Sequence, residues 1–178
     1  MISPALFLTL AALAGLAACR ASPGPDAVGP SSQLTVEWKG AVNRTFTAPA
    51  EGRWCARDRL LEIVASQADT GVGLALAMLD SLRPGQHPVV SSAVPVDWRP
   101  MALAAVRWVN DTAVRGFEGN SGGVVVTTVG PDGVSGTIDL RLKHHNTPDT
   151  IRMTGRFSSV PVGPSDTLCG RTSQPTPR

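Results

Sequence analysis

From residue 34 to residue 39 the chain alternates strictly between apolar and polar side chains. In "LTVEWK" the apolar positions are Leu34, Val36 and Trp38, and the residues between them are polar. A period of two is typical of a strand with one buried and one solvated face. After Gly40, "VNRTFT" continues with β-branched and aromatic residues, so the two segments predict a β-hairpin.

Three further apolar runs follow. "VGLALAML" is apolar on both faces, which is typical of a central strand. "LLEIVAS" and "LAAVRWV" fit the strand period, but the longer segments 57–67 and 100–110 could each be an amphipathic helix. "SLRPGQHPVVSSAVP" is broken by prolines, which favour a loop or an edge strand.

The C-terminal part of the chain predicts a β-meander. "GVVVTTV" and "VSGTIDLRL" flank the tight-turn sequence "GPDG", and "KHHNTPDT" then leads to "IRMTGRF". About eight short strands at this spacing predict an all-β fold, either an antiparallel β-sandwich or a partly open barrel. We place this domain at residues 33–169, followed by a disordered tail at 170–178, and we expect Trp38 and Trp108 in its core.

The N-terminal residues read as an export signal. Ala5–Ala18 carry no charge, and the run is too short to span a membrane but suits a signal-peptide core. The sequence Leu16-Ala17-Ala18-Cys19 resembles the lipobox of bacterial lipoproteins. The resemblance implies removal of the signal peptide, residues 1–18, and a diacylglycerol thioether on Cys19 that anchors the chain to a membrane. An ordinary signal peptide cut nearby, or an uncleaved anchor, is the alternative.

Residues 19–32 are rich in Pro, Gly, Ser and Ala, which predicts a flexible linker between anchor and domain. Residue 20 is arginine, not the aspartate that retains many such lipoproteins in the inner membrane. In a cell with two membranes, the resemblance therefore implies the outer one.

Lipidation of Cys19 would leave Cys55 and Cys169 as a pair in an oxidising compartment. A disulfide between them would stabilise the fold by about 4–5 kcal/mol in the chain-entropy model, because it would close a very long loop. Two buried free thiols are the alternative. A metal site is disfavoured because the sequence lacks any CxxC spacing.

A strand that ends near Cys55, the "SGTIDLRL" hairpin and the closing Cys169 together resemble the small β-sandwich lipoprotein antigens of actinobacteria. That resemblance implies an envelope role, often in adhesion, carriage of amphiphiles or surface display. It brings no catalytic motif.

The charge balance excludes some partners. Sixteen Lys and Arg against fourteen Asp and Glu give a net charge of +2, spread along the sequence. This balance argues neither for nucleic acid nor for a strongly acidic partner. We expect no cofactor.

The segment "GNSGG" at 119–123 is similar to the nucleophile loop of chymotrypsin-like serine proteases, with Ser121 as the nucleophile. Such a serine needs a histidine base that a carboxylate orients. His87 is too close in sequence for that fold, and His144 and His145 come in the wrong order. We therefore interpret the segment as a Gly-rich loop that turns into a strand.

Adjacent histidines in an extended chain point to opposite sides, so His144 and His145 cannot bind one ion together. A metal site with Asp149 and His87 is conceivable, but a polar hairpin loop is favoured. We expect no metal.

One basic cluster is less obvious. If "VSGTIDLRL" pairs with "IRMTGRF", Leu142 faces Ile151 and Arg141 lies opposite Arg152. Directly opposed like charges are destabilising unless compensated, and Asp139 compensates only part of the surplus. The face therefore predicts a site for an anion such as a headgroup phosphate or a wall polymer, and the alternative is a solvated face centred on Asp139. The candidate anion-binding residues are Arg141, Lys143, Arg152 and Arg156.

Together these features predict a lipid-anchored cell-envelope protein with a non-enzymatic binding or structural role. Its partner would be an envelope polymer, a lipid headgroup or another protein. The alternative is a carrier that holds a lipid or other amphiphile between two sheets. A serine hydrolase using Ser121 is the least favoured function.

Overall fold

A computed structural model describes residues 32–91, 100–110 and 113–165. Strands make up 76% of this part of the chain, which contains no helix, and the predicted all-β class is confirmed. The strands are β1 (Gln33–Gly40), β2 (Arg44–Ala48), β3 (Ala50–Cys55), β4 (Leu60–Gln67), β5 (Thr70–Ala77), β6 (Gly85–Pro88), β7 (Met101–Asn110), β8 (Ala113–Gly130), β9 (Gly133–His144), β10 (Thr150–Val160) and β11 (Val162–Pro164).

These strands form one curled sheet. Their order is β11-β3-β4-β5-β7-β8-β9-β10-β1-β2, and β6 pairs with β8 beside this path. The sheet is mixed, because β11 runs parallel to β3 whereas the other named neighbours are antiparallel. Pro49 alone separates β2, at one end of the order, from β3, next to the other end. The two ends of the sheet therefore meet there, and the sheet curls into a half-barrel.

The expected sandwich of about eight short strands is wrong. The described residues form eleven strands in a single sheet, and β8 alone is 18 residues long. Long strands that continue across one curled surface replace the two stacked sheets of a sandwich. The partly open barrel, our second form of the prediction, is closer to the observed architecture.

The two segments left open between helix and strand are both strands. Segment 57–67 contains β4 and segment 100–110 contains β7. In β4, Leu61, Ile63 and Ala65 are buried, and the residues between them are half-buried or exposed. This alternation is the period of a strand and not of a helix.

Apolar side chains fill the inner face of the half-barrel. The three positions predicted from "LTVEWK" are confirmed as core, since Leu34, Val36 and Trp38 are at most 1% exposed. The Trp38 ring stacks on Trp108 with centroids 5.7 Å apart, and Trp108 stacks on Phe117 at 5.3 Å. Such aromatic pairs stabilise a core by about 0.5–1.5 kcal/mol each beyond area burial. Trp38 and Trp108 therefore lie in the core, as predicted.

Candidate anion-binding face

The outer face of β9 and β10 carries the cations that the sequence singled out. The register places Leu142 opposite Ile151 and Arg141 opposite Arg152, as predicted. Both arginines are exposed, whereas Leu142 and Ile151 are buried. Side chains directly opposite in an antiparallel pair have Cβ atoms about 4.5–5.5 Å apart. Two cations therefore face each other at close range.

Asp139 compensates one of these two cations. The Arg152 guanidinium donates from Nε to Oδ1 of Asp139 at 3.0 Å and from Nη2 to Oδ2 at 2.8 Å. This hydrogen bond lowers the pKa of Asp139, and the charges of Arg152 and Arg141 lower it further. The carboxylate is therefore fully ionised at neutral pH, and both of its oxygens bind Arg152.

Strand β1 adds a third cation that the sequence analysis missed. Lys39 lies opposite Arg152 on the other side of β10. Lys39, Arg152 and Arg141 therefore form one row across three adjacent strands, which we call the cation row. Lys39 also forms an ion pair with Glu37 on its own strand. The alternation in "LTVEWK" assigns Lys39 to the polar face, but no local signal identifies β10 as the neighbour of β1.

The other two predicted cations lie apart from this row. Lys143 is two residues along β9 from Arg141, and Arg156 is four residues along β10 from Arg152. At about 3.3 Å per residue, Arg156 is about 13 Å away from the row. The four predicted residues share one face, but only Arg141 and Arg152 are direct neighbours.

The segment "GNSGG" is not a loop, and that interpretation was wrong. It lies within β8, where the register to β9 shifts between Gly119 and Ser121, so Asn120 is the extra residue of a β-bulge. Gly122 has φ of +100°, and a Cβ there would overlap the carbonyl oxygen of Asp139. A residue with a side chain does not fit, which explains a glycine at this point of the strand.

Ser121 and His87 lie on opposite faces of the sheet. Ser121 is opposite Arg141, on the exposed face. His87 is opposite the buried Val124 and is itself only 3% exposed. Side chains on opposite faces cannot exchange a proton directly, so this geometry does not support Ser121 as an activated nucleophile.

The adjacent histidines point to opposite sides, as predicted. The His144 ring packs edge-on against Phe117 at 5.0 Å, and its Nδ1 accepts a hydrogen bond from the Asn146 N–H at 3.1 Å. The His145 side chain is 70% exposed, with Nδ1 3.8 Å from Oε1 of Glu118. Among the described residues, no group of three His, Cys, Asp or Glu is arranged to hold a metal ion.

The carrier hypothesis places its ligand between two sheets, whereas the described strands form a single sheet with a filled inner face. An apolar depression of about 370 Å³ lies on the outer face of β4, β5, β7 and β8. Its walls include Val64, Ala75 and Leu103, and Glu62 and Glu118 line it as well. The carrier function stays a prediction.

Cys19 and Cys169 lie outside the described residues. Cys55 ends β3 and is 2% exposed. Ser165, the last residue described before Cys169, donates its N–H to the carbonyl oxygen of Trp54 at 3.1 Å. The chain toward Cys169 therefore starts beside Cys55. Four residues reach at most about 13–14 Å, which is enough for a disulfide.

No family model, no curated protein and no solved structure matches this chain. A search of the described residues for a helix long and apolar enough to cross a membrane finds none.

Proposed function

We propose that this chain is a lipid-anchored protein of the cell envelope that binds an anionic envelope component without catalysing a reaction. The observation that carries the proposal is the cation row, Lys39, Arg152 and Arg141, on adjacent strands of the exposed face. Directly opposed like charges destabilise a sheet. An anionic partner on this row would offset that cost, so binding and folding would favour the same arrangement.

The N-terminal sequence supports the proposed location. Cleavage before Cys19 and acylation of its sulfur would tether the domain through residues 19–32, with the outer membrane favoured by Arg20. A flexible linker of this length has a root-mean-square span of about 20 Å. The domain would therefore sample the layer next to the membrane, where headgroups and envelope polymers carry phosphate or carboxylate charges.

A disulfide between Cys55 and Cys169 fits the same location, because an exported protein folds in an oxidising compartment. The hydrogen bond from Ser165 to Trp54 supports it, since it brings the C-terminal chain next to Cys55. The disulfide would fix the end of β11 to the end of β3, where the curled sheet has one of its edges.

The proposed binding is tested by sedimentation of the mature chain, residues 19–178, with isolated envelope fragments. The chain carries Cys19→Ser, so that neither the apolar leader nor acylation can hold it to the fragments. We expect binding that weakens steeply with added salt, as an exposed ionic contact does. Replacement of Arg152 by Glu should reduce the bound fraction at least about fivefold, because it reverses the central charge of the row.

Arg57→Glu is the matched control. Arg57 is exposed in the turn between β3 and β4, away from the cation row, and the substitution changes the net charge by the same amount. Its binding should stay within about twofold of the parent chain. Equal binding by the parent and the Arg152→Glu variant would contradict the proposed function.

A further inference from the structure

A depression of about 300 Å³ lies over the cation row, where β1, β10, β9 and β8 run side by side. Five polar residues line it: Lys39 from β1, Thr150 and Arg152 from β10, Arg141 from β9 and Asn120 from β8. Three of these residues are the cation row itself. Asn120 is the extra residue of the β-bulge in "GNSGG".

The charges around this depression do not cancel. Lys39 pairs with Glu37, and Arg152 is held by both oxygens of Asp139. In the part of the chain that the structure describes, Arg141 forms no ion pair and no side-chain hydrogen bond. Three cations against two carboxylates leave one positive charge at the row. A singly charged anion would neutralise it.

The bulge supplies uncharged donors next to Arg141. A β-bulge re-aims the side chain of its extra residue and recurs next to functional sites. The Asn120 amide lines the depression and has no side-chain partner among the described residues. Two residues later, the position of Gly122 accommodates only glycine, because its φ is positive and an added Cβ would overlap the carbonyl oxygen of Asp139. The backbone geometry at the bulge is therefore strongly specified.

We propose that Arg141, Asn120 and Lys39 form a binding site for a phosphodiester. This group carries one negative charge on two unesterified oxygens, which matches the surplus at the row. The Arg141 guanidinium can bind both oxygens in parallel, as it does in bidentate pairs. The Lys39 ammonium and the Asn120 amide would donate from two other sides, an arrangement that suits a tetrahedral anion better than a planar carboxylate.

This inference rests on the basic face of the proposed function but needs a narrower set of residues. A phosphodiester occurs both in phospholipid headgroups and in glycerophosphate polymers, and the bound chemistry is the same in the two. The soluble compound glycerophosphoglycerol presents that group without a membrane and is therefore the first probe. Micelles of uncharged detergent with phosphatidylglycerol are the second.

The experiment is a titration of the mature chain, residues 19–178 with Cys19→Ser, followed by ¹H–¹⁵N NMR signals of the Asn120 side-chain amide and the Arg141 Nε–H. We expect saturable shifts with glycerophosphoglycerol and weaker shifts with acetate at the same ionic strength. Lys39→Gln and Asn120→Ala should each weaken the affinity about fivefold. Arg156→Gln should leave it within about twofold, because it removes the same charge as Lys39→Gln but lies about 13 Å from the row.

Three outcomes would overturn the site. Equal losses in Lys39→Gln and Arg156→Gln would show a diffuse charge effect, and equal shifts with acetate would remove the phosphodiester selectivity. A response to the micelles alone would show binding to a membrane surface instead of a local phosphodiester site. If envelope fragments still bind the parent chain in any of these cases, the proposed function survives and only this inference fails. Responses to both probes, with the expected variant pattern, would support the site.

Discussion

The Arg152 guanidinium binds both carboxylate oxygens of Asp139, at 3.0 and 2.8 Å, while Arg141 lies directly opposite Arg152 on the neighbouring strand. One carboxylate therefore compensates one of two cations that would otherwise repel each other. The hydrogen bond from Arg152 is the main cause of the lowered pKa of Asp139. A carboxyl group whose pKa is lower in the folded chain than in the unfolded chain, where it is near 3.9, stabilises the fold at pH values above 3.9. This stabilisation is lost as the pH falls through the folded pKa.

Asp139→Asn should make the stability of the domain depend more strongly on salt. Without the carboxylate, Arg141 and Arg152 repel, and added salt screens that repulsion. The melting temperature should fall more at low ionic strength, about 20 mM, than at about 500 mM. The same variant should bind glycerophosphoglycerol about threefold more tightly, because the row gains a net positive charge.

Asp132→Asn is the control for this prediction, because Asp132 is exposed in the turn between β8 and β9, away from the cation row. Its melting temperature should show the salt dependence of the parent chain. A salt dependence that is the same for Asp139→Asn and for the parent would mean that Asp139 does not relieve repulsion at the row.

His87 should make the domain sensitive to mild acid. Its side chain is buried, and among the described residues neither ring nitrogen has a hydrogen-bond partner. Burial lowers the pKa of His87, and the nearby backbone of Ala77 opposes this shift only in part. The unfolded chain, with an ordinary pKa near 6.5, therefore binds a proton more readily. The free energy of unfolding should be constant above that pH and should fall as the pH drops below it.

His87→Leu should abolish this acid-dependent loss. It removes two unpaired polar atoms, so the variant at neutral pH should be as stable as the parent or more so, by up to about 1–3 kcal/mol. Urea denaturation between pH 7.5 and about 5 gives the comparison. His145→Leu, at an exposed side chain, should keep the acid dependence of the parent. A parent chain whose stability does not change across this range contradicts a buried neutral His87.

Gly136 sits where only glycine fits. It lies opposite Phe157, and a Cβ there would overlap both the Phe157 ring and the Val125 carbonyl oxygen. Gly136→Ala should lower the free energy of unfolding by about 1–3 kcal/mol or more. At Gly116 no atom of the described residues lies within 4 Å of an added Cβ. Gly116→Ala should therefore change the free energy of unfolding by no more than about 0.5–1 kcal/mol. Equal effects of the two substitutions, measured by urea denaturation, would rule out the close packing of Phe157 on Gly136.

Local pairings could be predicted from the sequence, whereas distant ones could not. The turn between β9 and β10 is short, so the two apolar patterns fix the register that places Arg141 opposite Arg152. Lys39 lies in the cation row only because β1 pairs with β10, although Lys39 and Arg152 are more than a hundred residues apart in the chain. Many strands with one polar face would satisfy the same pattern, so alternation alone does not select this partner.

The architecture and the bulge depend on details with no local signature. Pro49 interrupts one extended segment between β2 and β3, and these two strands pair at opposite ends of the sheet. The sheet therefore closes on itself as a half-barrel, whereas the sequence predicted a sandwich. Asn120 is read as a loop residue because glycines surround it. An extra residue inside a continuous strand looks the same in sequence as a loop beside a strand.

Intact mass spectrometry of the native chain, recovered from the membrane fraction of its own cells, tests the account most directly. We expect a polypeptide that begins at Cys19 and carries acyl chains there. We also expect reduction to add two hydrogens, as opening a Cys55–Cys169 disulfide requires. A chain that retains residues 1–18, or that begins at an unmodified Cys19, would contradict the lipid anchor and the envelope location built on it.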